Sequence, residues 1–292
     1  MNAVLLGLLD PGDEIIIIEP AHENYIPSAI FCGAKAGGEP LDEPGYRLNA
    51  ERLEAAVPPR TKAIILNTPH NPTGRVFDEG EMAGVIEVLL KHDLVLITDE
   101  IYDHILYDGR EHVYPGSIPE IADRTVTVSG LSKTYAITGW RLGYIIAPKV
   151  LSMAARPVHD FMTVCAPTPL QVAAVTALNL PQEYYDQMTA DYHVRRETIV
   201  GILTELGFRT PTPEGSYYVL ADYSQVPIPQ AQWDSTRFAE WMTEVVGVAV
   251  VPGCVFYSEP GYGDRSVRFA FPKKIATLQA ARERMERMLG DQ

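Results

Sequence analysis

The sequence predicts an α/β protein whose mostly parallel sheet is flanked by helices, with a smaller α+β region at the carboxyl end. Short aliphatic runs alternate with helical patterns in the first half, and after about residue 168 long helices with scattered strands replace them. The composition is also typical of a globular protein, with 46% hydrophobic and 21% charged residues among 292. A chain of this length can bury a core without disulfide or metal support.

Aliphatic runs predict the strands of the sheet, at residues 14–18, 61–66, 94–98, 125–128 and 144–147. The first, EIIII, follows a Pro-Gly turn and is typical of a strand buried on both faces. Between the second and third runs, residues 79–91 place apolar side chains at helical spacing behind an acidic first turn. Strands that alternate with helices imply crossover connections and a parallel sheet, whose ligands lie beyond the carboxyl ends of the strands.

The second half has a different pattern. The sequence predicts helices at 168–180, 183–206, 235–246 and 276–289, and strands at 217–221 and 266–271. We therefore predict a large domain over 1–185 and a small C-terminal domain over 186–292, with the boundary inside a long connecting helix.

Charge and cysteine content exclude several classes of protein. Lys and Arg number 24 against 38 Asp and Glu, and the net charge of −14 argues against a nucleic-acid partner. No apolar run approaches the ~20 residues of a membrane-spanning helix, so no membrane association is expected. Cys32, Cys165 and Cys254 share no metal-binding spacing and are predicted to be buried and reduced. We expect a soluble cytoplasmic protein without a metal site.

Chemically capable side chains follow the second, third and fourth predicted strands. They are the HNPTG loop at 70–74, then Asp99 and Tyr102, then Lys133 and Arg141. An amine, a carboxylate, a phenol, an amide and a guanidinium would thus meet at one edge of one sheet. This set suits a Schiff-base cofactor that has an aromatic ring nitrogen, a phenolate oxygen and a phosphate, namely pyridoxal 5′-phosphate.

These motifs resemble those of the fold-type-I pyridoxal-phosphate enzymes, specifically the class I/II aminotransferases. GLSK at 130–133 with GWRLG at 139–143 is similar to the family's lysine signature, and HNPTG to its asparagine loop. DEIY at 99–102 and PEGSYY at 213–218 follow in the family's order. The likeness runs from Asp10 to the end of the chain and implies the family's large cofactor-binding domain followed by a small domain.

The resemblance implies catalytic roles for three residues. Lys133 would form the Schiff base with the cofactor and move the proton between the substrate's α-carbon and the cofactor. Asp99 would keep the ring nitrogen protonated, and Tyr102 would hydrogen-bond the phenolic oxygen, which Asn71 would contact from the other side. From the residues alone, Lys133 could instead be a surface lysine, Asp99 a helix cap and Asn71 a turn residue.

Further contacts are implied for binding. Arg141 would bind the cofactor phosphate, with Ser132 adding a hydroxyl, and Arg268 would hold the substrate α-carboxylate. His22 falls where relatives place an aromatic residue that stacks on the ring, with Tyr25 as the second candidate. A structural histidine and a salt-bridged arginine are the alternatives for His22 and Arg268.

The resemblance also implies a segment that this sequence is expected to lack. In the family a glycine-containing loop that holds the phosphate precedes a helix like that at 2–9, together with an N-terminal arm. We therefore expect an N-terminally truncated member of the family.

The expected function is transamination between an α-amino acid and a 2-oxo acid by a homodimer. Carbon–sulfur β-elimination on the same scaffold and an inert fragment remain open alternatives. An aminotransferase-like sensor domain of a transcription regulator is disfavoured by the net acidity and by the lack of a DNA-binding module in residues 1–20.

Overall fold

A computed structural model describes residues 1–290 of the protein. A six-stranded sheet forms the centre of its first half. Its strands are β1 (Glu14–Glu19), β2 (Lys35–Pro40), β3 (Thr61–Asn67), β4 (Val95–Asp99), β5 (Thr125–Gly130) and β6 (Gly143–Ile146). They lie in the order β2-β1-β3-β4-β5-β6, and each neighbouring pair is parallel except β5 and β6, which are antiparallel. The predicted mostly parallel sheet is confirmed.

Helices cover both faces of this sheet: α1 (Asn2–Leu8), α2 (Tyr25–Phe31), α3 (Ala50–Ala55), α4 (Glu79–His92) and α5 (Lys149–Thr163). In β1, Ile15 and Ile17 pack with residues of α1, α2 and α5, while Ile16 and Ile18 pack with residues of α3 and α4. This two-sided burial is the physical reason for the uninterrupted aliphatic run.

The prediction of α4 is confirmed in detail by its ends. The helix begins at a capping box, in which the Asp78 side chain accepts from the Glu81 backbone N–H and the Glu81 side chain accepts from the Asp78 N–H. It ends where Asp93 adopts a left-handed conformation, with φ of 52°.

The second half contains α6 (Thr168–Leu178), α7 (Gln182–Glu205), α8 (Ser235–Trp241) and α9 (Ile275–Gly290). A three-stranded antiparallel sheet, in the order β7-β9-β8, is formed by β7 (Tyr218–Asp222), β8 (Val251–Pro252) and β9 (Ser266–Ala270). These elements are the smaller α+β region. The proposed domain boundary at 185 falls within α7.

The structure corrects several details. Strand β2 was not predicted, because its sequence KAGGEP has no aliphatic run and it forms a half-exposed edge. The predicted helix at 235–246 is α-helical only to Trp241 and continues as a π-helical turn to Val246. All three cysteines are free, but only Cys32 is buried; Cys254 is partly buried and Cys165 is exposed, so the prediction of burial is wrong for Cys165 and only partly met by Cys254.

Within residues 1–290, no helix is both long and apolar enough to cross a bilayer. The same residues contain no group of three or more His, Cys, Asp or Glu side chains that could hold a metal ion.

Candidate active site

A cavity of about 440 Å³ lies at the carboxyl ends of β3, β4 and β5. Its lining includes every residue for which the sequence predicted a role: His22, Asn71, Asp99, Tyr102, Ser132, Lys133, Arg141 and Arg268. Among the described residues, two much larger cavities, of about 780 and 970 Å³, have no carboxylate in their walls, and two of about 450 Å³ contain carboxylates but no lysine. The smaller cavity therefore combines amine, acid and guanidinium groups in a way that the larger ones do not.

Asp99, the last residue of β4, is the partly buried acid on this wall of the cavity. The Tyr25 hydroxyl donates to its Oδ2 at 2.6 Å, and the Ile101 backbone N–H donates to its Oδ1 at 3.3 Å. Burial raises the pKa of Asp99 above its ordinary value, and the hydrogen bond from Tyr25 opposes that shift. The carboxylate is thus held in one orientation by a side chain distant in sequence.

Asn67 at the end of β3 joins the asparagine loop to β4. Its Nδ2 donates to the Asp99 carbonyl at 2.7 Å, and its Oδ1 accepts from the Asn71 backbone N–H at 2.7 Å. The Asn71 carboxamide oxygen accepts from Arg268 Nη1 at 2.8 Å. Because its oxygen has this partner, the Asn71 side chain offers its NH₂ group as a donor.

Lys133 follows β5 and contacts aromatic rings. Its Nζ lies 6.0 Å from the centre of the Tyr102 ring and 5.8 Å from that of Tyr217, within cation–π range. The Tyr102 hydroxyl donates to that of Tyr218 at 3.3 Å. Burial raises the pKa of Tyr102 well above its usual range, so it remains a neutral phenol.

The turn between β5 and β6 brings Arg141 to the cavity. Arg141 adopts a left-handed conformation with φ of 55°, and its Nη1 donates to the Thr138 carbonyl at 3.2 Å. Gly130 allows β5 and β6 to approach at this point, because a Cβ there would lie only 2.8 Å from the Leu142 carbonyl oxygen. This contact explains why residue 130 is glycine in this sequence.

Arg268 reaches the cavity from β9 of the smaller region. Its guanidinium lies over the Tyr218 ring at 4.4 Å and the Phe256 ring at 4.8 Å. Its Nη2 is 3.9 Å from Oε1 of Glu23. The flat, mostly buried guanidinium is thus fixed between two rings, with Asn71 as its direct hydrogen-bond acceptor.

His22 and Glu23 form a polar pair on the same wall. His22 Nδ1 is 2.8 Å from Glu23 Oε2, and both side chains are about one-third exposed, at 37% and 33%. Burial acts to raise the pKa of Glu23, but the hydrogen bond from His22 helps to keep this pKa below its usual value. The His22 ring also makes an edge contact with Tyr25 at 5.4 Å.

Glu100 lies behind the cavity and joins the strands that carry the acid and the amine. Its Oε1 accepts from the hydroxyls of Thr98 on β4 at 2.5 Å and Thr127 on β5 at 2.9 Å. Its Oε2 is 2.8 Å from His112 Nε2. Glu100 thus flanks the cavity without lining it.

Sequence reasoning missed Asn67, Glu23 and Tyr218, and it assigned Tyr25 only as a second stacking candidate. A polar residue that ends an aliphatic strand was a usable signal for Asn67. Tyr218 stands in the PEGSYY block, but only the fold shows which of its two tyrosines faces the cavity.

Comparisons with known proteins identify the family. The pattern of the family "Aminotransferase class I and II" matches residues 1–285. Methionine aminotransferase of Escherichia coli is 33% identical over 99% of this chain and 73% of the relative. The structure of N-succinyldiaminopimelate aminotransferase from Mycobacterium tuberculosis superposes with a TM-score of 0.94 at 34% identity, over 98% of this chain and 74% of that one.

An aromatic aminotransferase from Pyrococcus horikoshii is similar at a TM-score of 0.91 and 34% identity, over 99% of this chain and 76% of that one. The chain thus spans about three quarters of the length of these relatives. It belongs to the class I and II aminotransferases.

Proposed function

We propose that the chain transfers the amino group of an α-amino acid to a 2-oxo acid, with pyridoxal 5′-phosphate as cofactor. The observation that supports this proposal is the presence of Lys133, Asp99, Asn71, Arg141 and Arg268 in one cavity. When bound, the cofactor supplies an aldehyde that reacts with amines and a ring that withdraws electrons from the substrate α-carbon. An amine, an acid, an amide and two guanidinium groups match the cofactor's reactive groups and the substrate carboxylate.

The acidic side of the cavity would control the charge of the ring. The Asp99 carboxylate, held by Tyr25, would keep the ring nitrogen protonated, because opposite charges favour the protonated form. The Asn71 NH₂ group would donate to the phenolic oxygen, and the Tyr102 hydroxyl, which donates to Tyr218 in this structure, would turn to it as a second donor.

The remaining residues would bind and transfer the proton. Lys133 Nζ would attach the cofactor and, when displaced by the substrate amine, carry the proton from the substrate α-carbon. Arg141 and Ser132 would bind the phosphate, and Arg268 would bind the α-carboxylate. His22 would contact the face of the ring.

We further propose that the protein is a cytoplasmic homodimer. Large apolar side chains on α5 and α6 are exposed, including Val150 at 80%, Phe161 at 91% and Val172 at 67%, and an apolar surface of this kind is typical of an interface. The free cysteines fit a reducing compartment. Light scattering on the purified protein tests the homodimer, which a monomeric mass would contradict.

The activity is tested by titrating the purified chain with pyridoxal phosphate. We expect a visible absorbance band from the cofactor bound to a lysine, and its loss when a suitable amino acid is added without an oxo acid. Lys133→Ala should abolish the band and lower the turnover rate by about 10⁴-fold or more. Lys149→Ala, at an exposed lysine outside the cavity lining, should change neither.

A colourless wild-type protein in excess cofactor, or a band retained by Lys133→Ala, would contradict the proposal. Pyruvate released from a cysteine conjugate in the absence of any oxo acid would favour the β-elimination alternative instead.

A further inference from the structure

The cavity contains a carboxylate for which the proposed function has no role. Glu23 lines the cavity with a one-third exposed side chain, and its Oε1 lies 3.9 Å from Nη2 of Arg268. Its other oxygen is paired with His22 Nδ1. Glu23 therefore lies beside the group that would hold the substrate α-carboxylate, where substrates can reach it.

The positively charged side chains of the cavity are too few to bind a substrate with two carboxylates. Among the described lining residues, the Lys and Arg side chains are Lys133, Arg141 and Arg268, and each already has a partner in the proposed reaction. No ammonium or guanidinium group of this lining is left to neutralise a second carboxylate. Of the two acids, Asp99 is held by Tyr25, so Glu23 is the negative charge that faces the substrate side.

We propose, resting on the proposed function, that Glu23 determines specificity by disfavouring substrates with a side-chain carboxylate. A short carbon chain separates the two carboxylates of aspartate or glutamate. With the first on Arg268, the second therefore lies within the field of Glu23. Uncharged side chains avoid this repulsion and cationic ones gain from it. The same argument favours monocarboxylic 2-oxo acids over dicarboxylic ones as amino acceptors.

The test compares the cofactor-loaded wild type with Glu23→Gln, which keeps an oxygen acceptor for His22 but removes the charge. We measure the rate at which methionine, lysine and glutamate bleach the visible band. We expect the wild type to prefer methionine and lysine, and Glu23→Gln to raise kcat/KM for glutamate on the order of tenfold, mainly through KM. In the same comparison, kcat/KM for methionine should change less than threefold, and kcat/KM for lysine should fall.

Two further variants sharpen the result. Glu23→Asp keeps the charge and should keep the preference against glutamate. Glu120→Gln removes an exposed carboxylate far along the chain and should leave all three rates unchanged. A wild type that prefers glutamate to methionine, or equal changes for both substrates in Glu23→Gln, would overturn the proposal.

Equilibrium binding separates this inference from the proposed function. Maleate, with two carboxylates, and propionate, with one, are titrated by their effect on the absorbance of the bound cofactor. Glu23→Gln should tighten maleate binding about tenfold more than propionate binding, because only maleate carries a second carboxylate. If no amino acid bleaches the band, the proposed transamination fails. The maleate titration needs no turnover and still decides the role of Glu23, since equal maleate affinity in both proteins would exclude it.

Discussion

The two walls of the cavity differ in how much of the protein supports them. The acidic wall (Tyr25, Asn67, Asn71 and Asp99) is largely buried, and hydrogen bonds join its members to one another. The basic wall (Ser132, Lys133 and Arg141) adjoins β6, all of whose residues are exposed. Arg141 of the basic wall is exposed as well.

This difference separates what the chain organises by itself from what depends on a ligand or a further surface. The acidic wall is ordered by its own contacts, so a substitution there alters the electrostatics of a fixed geometry. The basic wall presents charged groups to solvent, so its contribution is realised mainly when an anion binds. Apart from Lys133, whose amine would itself react, we therefore expect changes in rate from substitutions in the first wall and changes in cofactor affinity from substitutions in the second.

After Lys133→Ala, the largest effect is expected for Asp99→Asn in the acidic wall. A neutral amide cannot keep the ring nitrogen protonated, so kcat should fall by about 10³-fold while the cofactor still binds. Stopped-flow measurement of the half-reaction checks this. Asp103→Asn, on the same loop but outside the cavity lining, serves as the control, and an equal loss there would show that the loop rather than the ring contact matters.

Stability should show the same contrast between the strands behind the two walls. Ile65 in β3 is 1% exposed, and Ile65→Ala should lower the free energy of unfolding by about 2–5 kcal/mol. Ile146 in β6 is 65% exposed, and Ile146→Ala should cost less than about 0.5 kcal/mol. Urea unfolding measures both. A large loss for Ile146→Ala would mean that β6 is covered in solution, as the proposed homodimer could cause.

In the basic wall, Arg141→Gln should weaken cofactor binding roughly 10- to 100-fold, because the charge-assisted hydrogen bonds between one arginine and a phosphate together contribute about 1.5–3 kcal/mol. Turnover at saturating cofactor should change far less. Equilibrium titration with pyridoxal phosphate measures the affinity, and Arg156→Gln on the exposed side of α5 is the matched control. An unchanged cofactor affinity in Arg141→Gln would show that the phosphate does not bind at this wall.

Tyr25→Phe tests how far the acidic wall depends on its hydrogen bond. Loss of a bond to a charged group costs about 1.5 kcal/mol, so kcat/KM should fall about tenfold. The Asp99 carboxylate would lose a donor, its pKa would rise further, and the acid limb of the rate profile should move to higher pH. Tyr223→Phe removes a hydroxyl that bonds to backbone carbonyls outside the cavity, and its rate profile should not move.

Much of this arrangement was predictable from the sequence because chemically capable side chains follow buried strands. The aliphatic runs of β1 and β3 identify strands, and a parallel sheet brings the residues that follow them to one edge. The antiparallel direction of β6 was not predictable, since its short apolar run carries no sign of chain direction. Strand β2 lacks the run altogether.

Contacts between distant residues explain what sequence reasoning missed at the site. The bond between Tyr25 and Asp99 joins residues 74 positions apart, and no local pattern announces it. Glu23 likewise meets Arg268 only because β9 reaches across to the large sheet. Residue types at strand ends predict which groups assemble, whereas packing of helices and the second sheet decides which of them touch.

The last expected effect appears only below neutral pH and concerns His70, which lies in the asparagine loop of the acidic wall. It is fully buried, its Nδ1 lies 2.7 Å from Thr73 Oγ1, and burial lowers the pKa of His70 to about 3. The unfolded chain binds a proton near pH 6.5, so below that pH it holds more protons than the folded one. Folding stability should therefore fall as the pH drops from 6.5 towards 3, by up to about 1.4 kcal/mol per pH unit.

His70→Gln should flatten this slope in urea unfolding at a series of pH values, even if it shifts the stability at neutral pH. His159→Gln, at an exposed histidine on α5, is the matched control. The difference between these two slopes measures how strongly the acidic wall excludes water. Equal slopes in the wild type and His70→Gln would mean that His70 is accessible and that the two walls are less different than their burial indicates.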